Sequence, residues 1–278
     1  MNKKELQIVA NEVRKGIIVG VYNAKSGHPG GSLSATECLV YLYFKELNVD
    51  PQNPDMETRD RFVLSKGHAA PGLYATLAAK GYFPMKEMES LRHIGSMLQG
   101  HPVINIPGVD MSTGSLGQGV SAAVGMALGA RVDGKSYRTY ALLGDGELEE
   151  GQVWEAAMLA GNRKLDNLCL IVDNNNLQID GTLEEVNAPY PIGEKFAAFG
   201  FHVIEVADGN DFAQLDAAFE EARNTKGMPS VIVMKTLKGK GVSYMENAVG
   251  WHGQAPKADL YKVAMDELTK AGEELCQK

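Results

Sequence analysis

From Tyr137 to Thr236, short apolar runs alternate with longer stretches of helical periodicity, and this alternation restricts the possible folds more than any other feature of the chain. YRTYALL (137–143), LCLIVD (168–173), FHVIEV (201–206) and PSVIVMKT (229–236) are predicted strands. GQVWEAAMLAGNRK (151–164) and DFAQLDAAFEEAR (211–223) are predicted helices. Strands joined through helices of this length form βαβ units, hence a parallel sheet. Such a sheet must be covered on both faces. The expectation is an α/β fold of three layers, a parallel sheet between helices, in a single domain over residues 1–278.

The N-terminal half is less regular. Leu6, Ile8, Val9, Val13, Ile17 and Ile18 recur near helical spacing, so residues 3–20 read as a helix. SGHPGGS (26–32) reads as a loop, because glycine and proline punctuate it. Residues 34–47 read as a mostly buried helix, RFVLS (61–65) as a short strand and 72–80 as a helix. Residues 82–113 are expected to be irregular, and GSLGQG (114–119) to open a helix ending near Ala130. A glycine-rich loop after Lys238 and a charged helix over about 257–276 follow. No repeat or low-complexity tract divides the chain.

Charge and cysteine content remove several function classes. Lys+Arg 27 against Asp+Glu 35 gives −8, with no Lys/Arg-rich run, so a nucleic-acid-binding face is not expected. An acidic chain can still hold an anion through helix N-termini, backbone N–H groups or a metal ion. Cys38, Cys169 and Cys276 show no CxxC spacing, which argues against a disulfide framework or zinc site and for a cytoplasmic setting. The N-terminus lacks a signal peptide's apolar stretch, and no run of about 18 apolar residues is present to span a membrane.

LLGDGELEEG (142–151) lies between a predicted strand and a helix, and VDNNNLQIDG (172–181) closes the next strand, with 27 residues between Gly146 and Asn174. Asp145 and Asn174–Asn176 are therefore expected at the C-terminal ends of neighbouring strands, where open α/β sheets bind ligands. A carboxylate, an amide oxygen and a loop carbonyl suit a divalent cation holding a diphosphate. The flanking glycines admit close backbone approach, and the helix that follows directs N–H groups at the anion. Taken singly, GDG is a turn and the asparagine run a helix cap; together at two strand ends they favour the ligand reading. GDGELEEG breaks the GxGxxG spacing of a dinucleotide fold.

His28 (SGHPGG), His68 (SKGHAAPG), His101 (GHP) and His252 (GWHG) all sit in glycine- or proline-rich loops. Their separations of 40, 33 and 151 residues match no compact zinc motif. Neutral imidazoles there could bind sugar hydroxyls and phosphates and exchange protons near neutral pH. His93, in a charged helical stretch, and His202, in a strand, read as structural. Tyr41, Tyr43 and Phe44 read as core, and Trp251 as a wall beside His252.

The motifs SGHPGGSLS, RFVLSKGHAAPGLYATLA, STGSLGQGVSAAVGMALG, LLGDGELEEGQVWEA, VDNNNLQIDG, KTLKGKG and GWHG together resemble the N-terminal half of a transketolase, in that family's order and over nearly the whole chain. The resemblance implies a thiamine-diphosphate-binding fold of the pyrophosphate type. It implies that Asp145, Asn175 and the Leu177 carbonyl bind Mg2+ or Ca2+, with Gly146 against the diphosphate. Gly114, Ser115 and Leu116 would line the aminopyrimidine side and Ile179 the thiazolium. Lys66, His68, Lys238 and His252 would contact phosphates or the reacting end of the substrate. His28, His101 and His252 would bind donor hydroxyls and assist proton transfer. Glu150 and Glu155 match acidic residues near a subunit interface. The implied reaction is transfer of a two-carbon ketol unit from a ketose phosphate to an aldose phosphate.

Full-length members of that family carry two further domains, including the pyrimidine-binding one. The resemblance therefore implies a two-fold heterotetramer with a separate C-terminal chain and no activity in the isolated chain. Met1 and the terminal helix favour a split enzyme over a truncated piece. The rivals are the alpha chain of a 2-oxo-acid dehydrogenase, a 1-deoxyxylulose-phosphate synthase relative and a non-catalytic cofactor-binding subunit. SGHPGGS, SKGHAAPG and GWHG argue against the first.

Overall fold

The computed structural model describes residues 1–277. Five strands, β1 (Arg61–Leu64), β2 (Thr139–Gly144), β3 (Leu168–Asn174), β4 (His202–Val206) and β5 (Ser230–Lys235), form one parallel sheet in the order β1-β2-β3-β5-β4. Alternate strand residues feed two cores. Phe62, Leu64, Tyr140, Leu142, Ile171 and Ile232 enter one, and Val63, Ala141, Leu143, Leu170, Val172 and Val233 the other. Burial on both faces explains why the strands read as continuous apolar runs rather than alternating ones.

Right-handed crossovers account for the layering. From β1 through β2 and β3 to β4 the chain advances in one direction, and α5 (Gln118–Val132), α6 (Gly151–Asn162) and α8 (Ile192–Ala198) cover the same face. From β4 it turns back to β5, so α9 (Phe212–Asn224) lies on the opposite face. That face also carries α1 (Lys3–Ala24), α2 (Pro29–Ser34), α3 (Thr36–Tyr41), α4 (Ala70–Lys80) and α10 (Ala258–Gln277). Asn2 and Glu5 form a capping box that starts α1, and Asp211 caps α9 through the Ala213 and Gln214 N–H groups.

Three sequence expectations are corrected. Residues 29–32 of the predicted loop, with Leu33 and Ser34 after it, form α2: Pro29 supplies the fixed φ suited to a first turn, and both glycines are buried. The predicted helix over 34–47 is α3 followed by a π-helical turn, Leu42–Glu46. His93 lies outside any helix, after the 3-10 turn Met85–Ser90. Residues 183–198, for which the sequence pattern predicts no element, contain α7 (Leu183–Val186), capped by Thr182 and Glu185, and α8. Tyr41 and Tyr43 are core residues as expected.

Candidate functional site

The strand order that covers the sheet also brings the two motifs together. β2 pairs directly with β3, with Gly144 opposite Asp173, so Asp145 and the run Asn174–Asn176 leave adjacent strand ends. Asp145 is 3% exposed. Its Oδ1 accepts from the Gly146 N–H at 2.9 Å and its Oδ2 from the Asn176 N–H at 2.6 Å. Burial, then the neighbouring Asp173, pushes its carboxyl up to about 7, against the pull of those two N–H groups. Asn175 turns its Oδ1 to the Leu177 N–H at 3.2 Å, and Asn176 takes the left-handed conformation that lets the loop double back.

Below this loop lies a buried ion pair. Lys66, at the end of β1, donates to Asp173 and to the Gly31 carbonyl (2.9 Å), while the Ser34 (2.6 Å) and Thr236 hydroxyls donate to the same carboxylate. Burial alone would raise the Asp173 carboxyl, but Lys66 and the two hydroxyls outweigh it and hold it below the usual range. A buried charge is tolerated only when so paired. Glu147 is the second internal clamp. Its carboxylate accepts from Ser65 (2.5 Å), the Gly117 N–H (2.9 Å) and the Gly144 N–H (3.0 Å), joining the GDG turn to the turn that starts α5. Neither role is legible in the motifs.

Above the floor lies a cavity of about 230 Å³, lined by Asp145, Asn175, Leu177, Lys66, Lys238 and the histidines His28, His68 and His252, among others. The three imidazole centroids lie 5.2–5.5 Å apart. Burial, then the nearby positive charges of Arg92 and Lys238, pushes His28 down to about 4; burial and Lys238 push His252 down to about 3. His68 is lowered strongly by burial and by Lys66. All three are therefore neutral at pH 7. Lys238 donates to His252 Nδ1 at 2.9 Å, which leaves the proton of that ring on Nε2. The same ammonium donates to the Leu177 carbonyl at 2.7 Å, and burial lowers it to about 8.

Gly114, Leu116, Gly146 and Ile179 also line the cavity. Three expected residues do not. Ser115 and Glu150 are exposed, and His101 is exposed beside Gly114, where a Cβ would meet its ring at 3.0 Å. Glu155 is likewise exposed on α6. Trp251 is not a cavity wall; it packs edge-on against Tyr244 at 5.0 Å. Gly144, the other glycine flanking Asp145, lines the cavity as the GDG motif suggests, and Gly31, Glu147 and Gln178 line it although no sequence motif points to them as ligands.

The floor fits a metal-bound diphosphate. Among the described residues no three His, Cys, Asp or Glu side chains cluster as a metal site, so a soft, nitrogen- or sulfur-rich centre is not built here. One carboxylate, one amide oxygen and one carbonyl are instead a hard oxygen set, suited to Mg2+ or Ca2+. The Asp145 carboxyl, raised by burial and by Asp173, is one whose charged form a bound cation would favour.

Residues 6–271 match the family model described as transketolase, thiamine diphosphate binding domain. The chain is 46% identical over 269 residues to the 6-deoxy-6-sulfo-D-fructose transketolase subunit SqwG of Clostridium sp. (strain MSTE9), covering 96% of this chain and 98% of that one. It is 42% identical to one of the subunits of the apulose-4-phosphate transketolase of Phocaeicola vulgatus, covering 99% and 98% of the two chains. The fold superposes on the crystal structure of transketolase from Campylobacter jejuni with a TM-score of 0.91 at 35% identity, covering 97% of this chain and 43% of that longer one.

Proposed function

The chain belongs to the transketolase family, in its thiamine diphosphate binding domain, and from that premise we propose that it is the diphosphate-binding subunit of a two-chain transketolase. It acts as a single domain whose active site is completed by a separate C-terminal chain carrying the pyrimidine-binding half, in a two-fold heterotetramer. The reaction is transfer of a two-carbon ketol unit from a ketose to an aldose. The observation that carries this reading is the convergence of Asp145, Asn175 and three neutral loop histidines on one cavity.

In this reading Asp145, Asn175 and the Leu177 carbonyl hold Mg2+ or Ca2+, and Lys238 with Gly146 receives the diphosphate. The bound coenzyme supplies an electron sink for carbon–carbon bond cleavage. The chain's own residues do the remainder. His28 and His252 hydrogen-bond the donor's hydroxyls, with the Nε2 proton of His252 fixed by Lys238. Because burial keeps His28 neutral, it can accept a hydroxyl proton and return it, whereas His252, its Nδ1 taken by Lys238, donates a hydrogen bond from Nε2. His101 serves from the rim, and Ile179 and Leu116 exclude water.

The relatives named for a sulfonated fructose and for apulose 4-phosphate support a ketose donor with an anionic terminus. We assign the reading of that terminus to the other chain. No helix of the described residues is long and apolar enough to cross a membrane, and a cytoplasmic setting is the proposal consistent with three unpaired thiols. Co-expression with its cognate C-terminal chain, followed by a ketol-transfer assay with xylulose 5-phosphate and ribose 5-phosphate and then with sulfonated and branched ketoses, tests the reading. Turnover is expected only from the pair; turnover by the isolated chain, or oxidation of a 2-oxo acid by the pair, refutes it.

A further inference from the structure

We infer that Lys238 makes divalent-metal binding conditional on an accompanying diphosphate, by placing its own positive charge on the carbonyl that would be the third metal ligand. The inference rests on, and deepens, the assignment of Asp145, Asn175 and Leu177 as metal donors. The Lys238 ammonium lies 2.7 Å from the Leu177 carbonyl oxygen and 2.9 Å from His252 Nδ1, and the residue is 1% exposed, so water screens it little.

The charge is also held in place. A Cβ on Gly30 would meet the Lys238 stem at 3.3 Å, so the side chain lies directly on that glycine. Its backbone is fixed on both sides, with the Lys238 carbonyl accepting from the Asn247 N–H at 3.0 Å and the Gly239 N–H donating to the Gly30 carbonyl at 3.1 Å. The ammonium therefore cannot swing to solvent without unpacking the loop.

Charge balance sets the consequence. The buried floor contains three carboxylates, Asp145, Asp173 and Glu147, and two ammoniums, Lys66 and Lys238. Asp173 is paired with Lys66, and Glu147 is held by the Ser65 hydroxyl and two backbone N–H groups, so Asp145 and Lys238 are the opposite charges left to meet an incoming ion. A bare divalent cation would add two charges and share an oxygen with a fixed third. The carbonyl's second lone pair accommodates both ligands sterically but does nothing for the repulsion. A cation arriving with a diphosphate brings its own compensating charge, and the ammonium then faces an anion. Lys66 cannot serve in this way, because its ammonium is already spent on Asp173 and the Gly31 carbonyl.

The experiment measures Mn2+ retained by the full chain on ultrafiltration, with Mn2+ alone and with Mn2+ plus inorganic pyrophosphate. The wild type is expected to bind Mn2+ at least about tenfold more tightly when pyrophosphate is present. Lys238→Met and Lys238→Gln are expected to tighten bare Mn2+ binding by about tenfold and to shrink the pyrophosphate enhancement below about threefold. Asp145→Asn should abolish retention under both conditions. A wild-type enhancement near unity overturns the inference without recourse to variants. So does an unchanged or weaker affinity for bare Mn2+ in folded Lys238 variants, while leaving the metal site standing. If the wild type retains no Mn2+ even with pyrophosphate, the metal assignment fails and the inference with it.

Discussion

At the floor of the cavity Asp145, Asp173, Lys66 and Lys238 are each 3% exposed or less, whereas at its rim Ser115, Glu150 and His101 face solvent and Ile179 is 68% exposed. The floor is held by this chain alone: every charge there is bonded to a strand end, a turn N–H or an opposite charge. The rim offers side chains outward. The difference teaches where one polypeptide's contribution ends. A diphosphate anchor needs preorganised buried donors, which one folded domain can supply, while the enclosing walls call for a second surface.

Substitutions should separate these two regions. The largest effect is expected from Asp145→Ala, which should reduce metal-dependent turnover of the assembled enzyme by at least about 1,000-fold, beyond the 10–100-fold cost of losing a metal ligand's outer partner. The melting temperature of the isolated chain should hold or rise, because a buried carboxylate raised to about 7 is removed. Asp173→Asn should do the reverse. It leaves the Lys66 ammonium buried without its counter-charge, and chemical denaturation of the isolated chain should register a loss of about 3–5 kcal/mol.

Between floor and rim, His252→Ala should lower kcat/KM of the pair by about tenfold, in the range expected for losing one hydrogen-bond donor to the substrate. At the rim, Ile179→Ala should leave the stability of the isolated chain within about 0.5 kcal/mol and weaken assembly or cofactor retention only a few-fold. A rim substitution that destabilised the isolated chain as much as Asp173→Asn would break the comparison.

The smallest effect is a pH slope. The folded His28 binds its proton only near pH 4, whereas the unfolded residue does so near 6.5. Between those values the unfolded chain holds more protons, so the contribution of His28 to stability is fully present above 6.5 and is lost as pH falls toward 4. His28→Gln removes that loss. The melting temperature of the variant relative to wild type should rise from pH 7.5 to pH 5, and a difference that stayed flat would show that His28 titrates normally in the fold.

The floor is legible in the sequence in part because its geometry follows from topology. GDG after one apolar run and NNN after the next require only that β2 and β3 be neighbours, and right-handed crossovers make consecutive strands the natural pair. The histidines are legible from their glycine and proline surroundings. The clamps are not. Asp173 ends a strand of buried apolar residues and pairs with a lysine 107 residues away. Glu147 shares GELEE with two other acidic residues, and only tertiary contact separates it from the exposed Glu150. The helix Pro29–Ser34 is hidden because PGGS satisfies turn statistics, whereas Gly30 is required by close approach to the Trp251 carbonyl, which a Cβ would meet at 2.8 Å.

The central claim is that side chains from two adjoining strand ends share one divalent cation. Anomalous diffraction from crystals of the chain with its partner, grown with Mn2+ and thiamine diphosphate, tests it most directly. A single manganese peak within about 2.1–2.4 Å of an Asp145 carboxylate oxygen, Asn175 Oδ1 and the Leu177 carbonyl is the expected result. A manganese peak elsewhere in the cavity, or bound coenzyme with no metal against Asp145, would contradict the account.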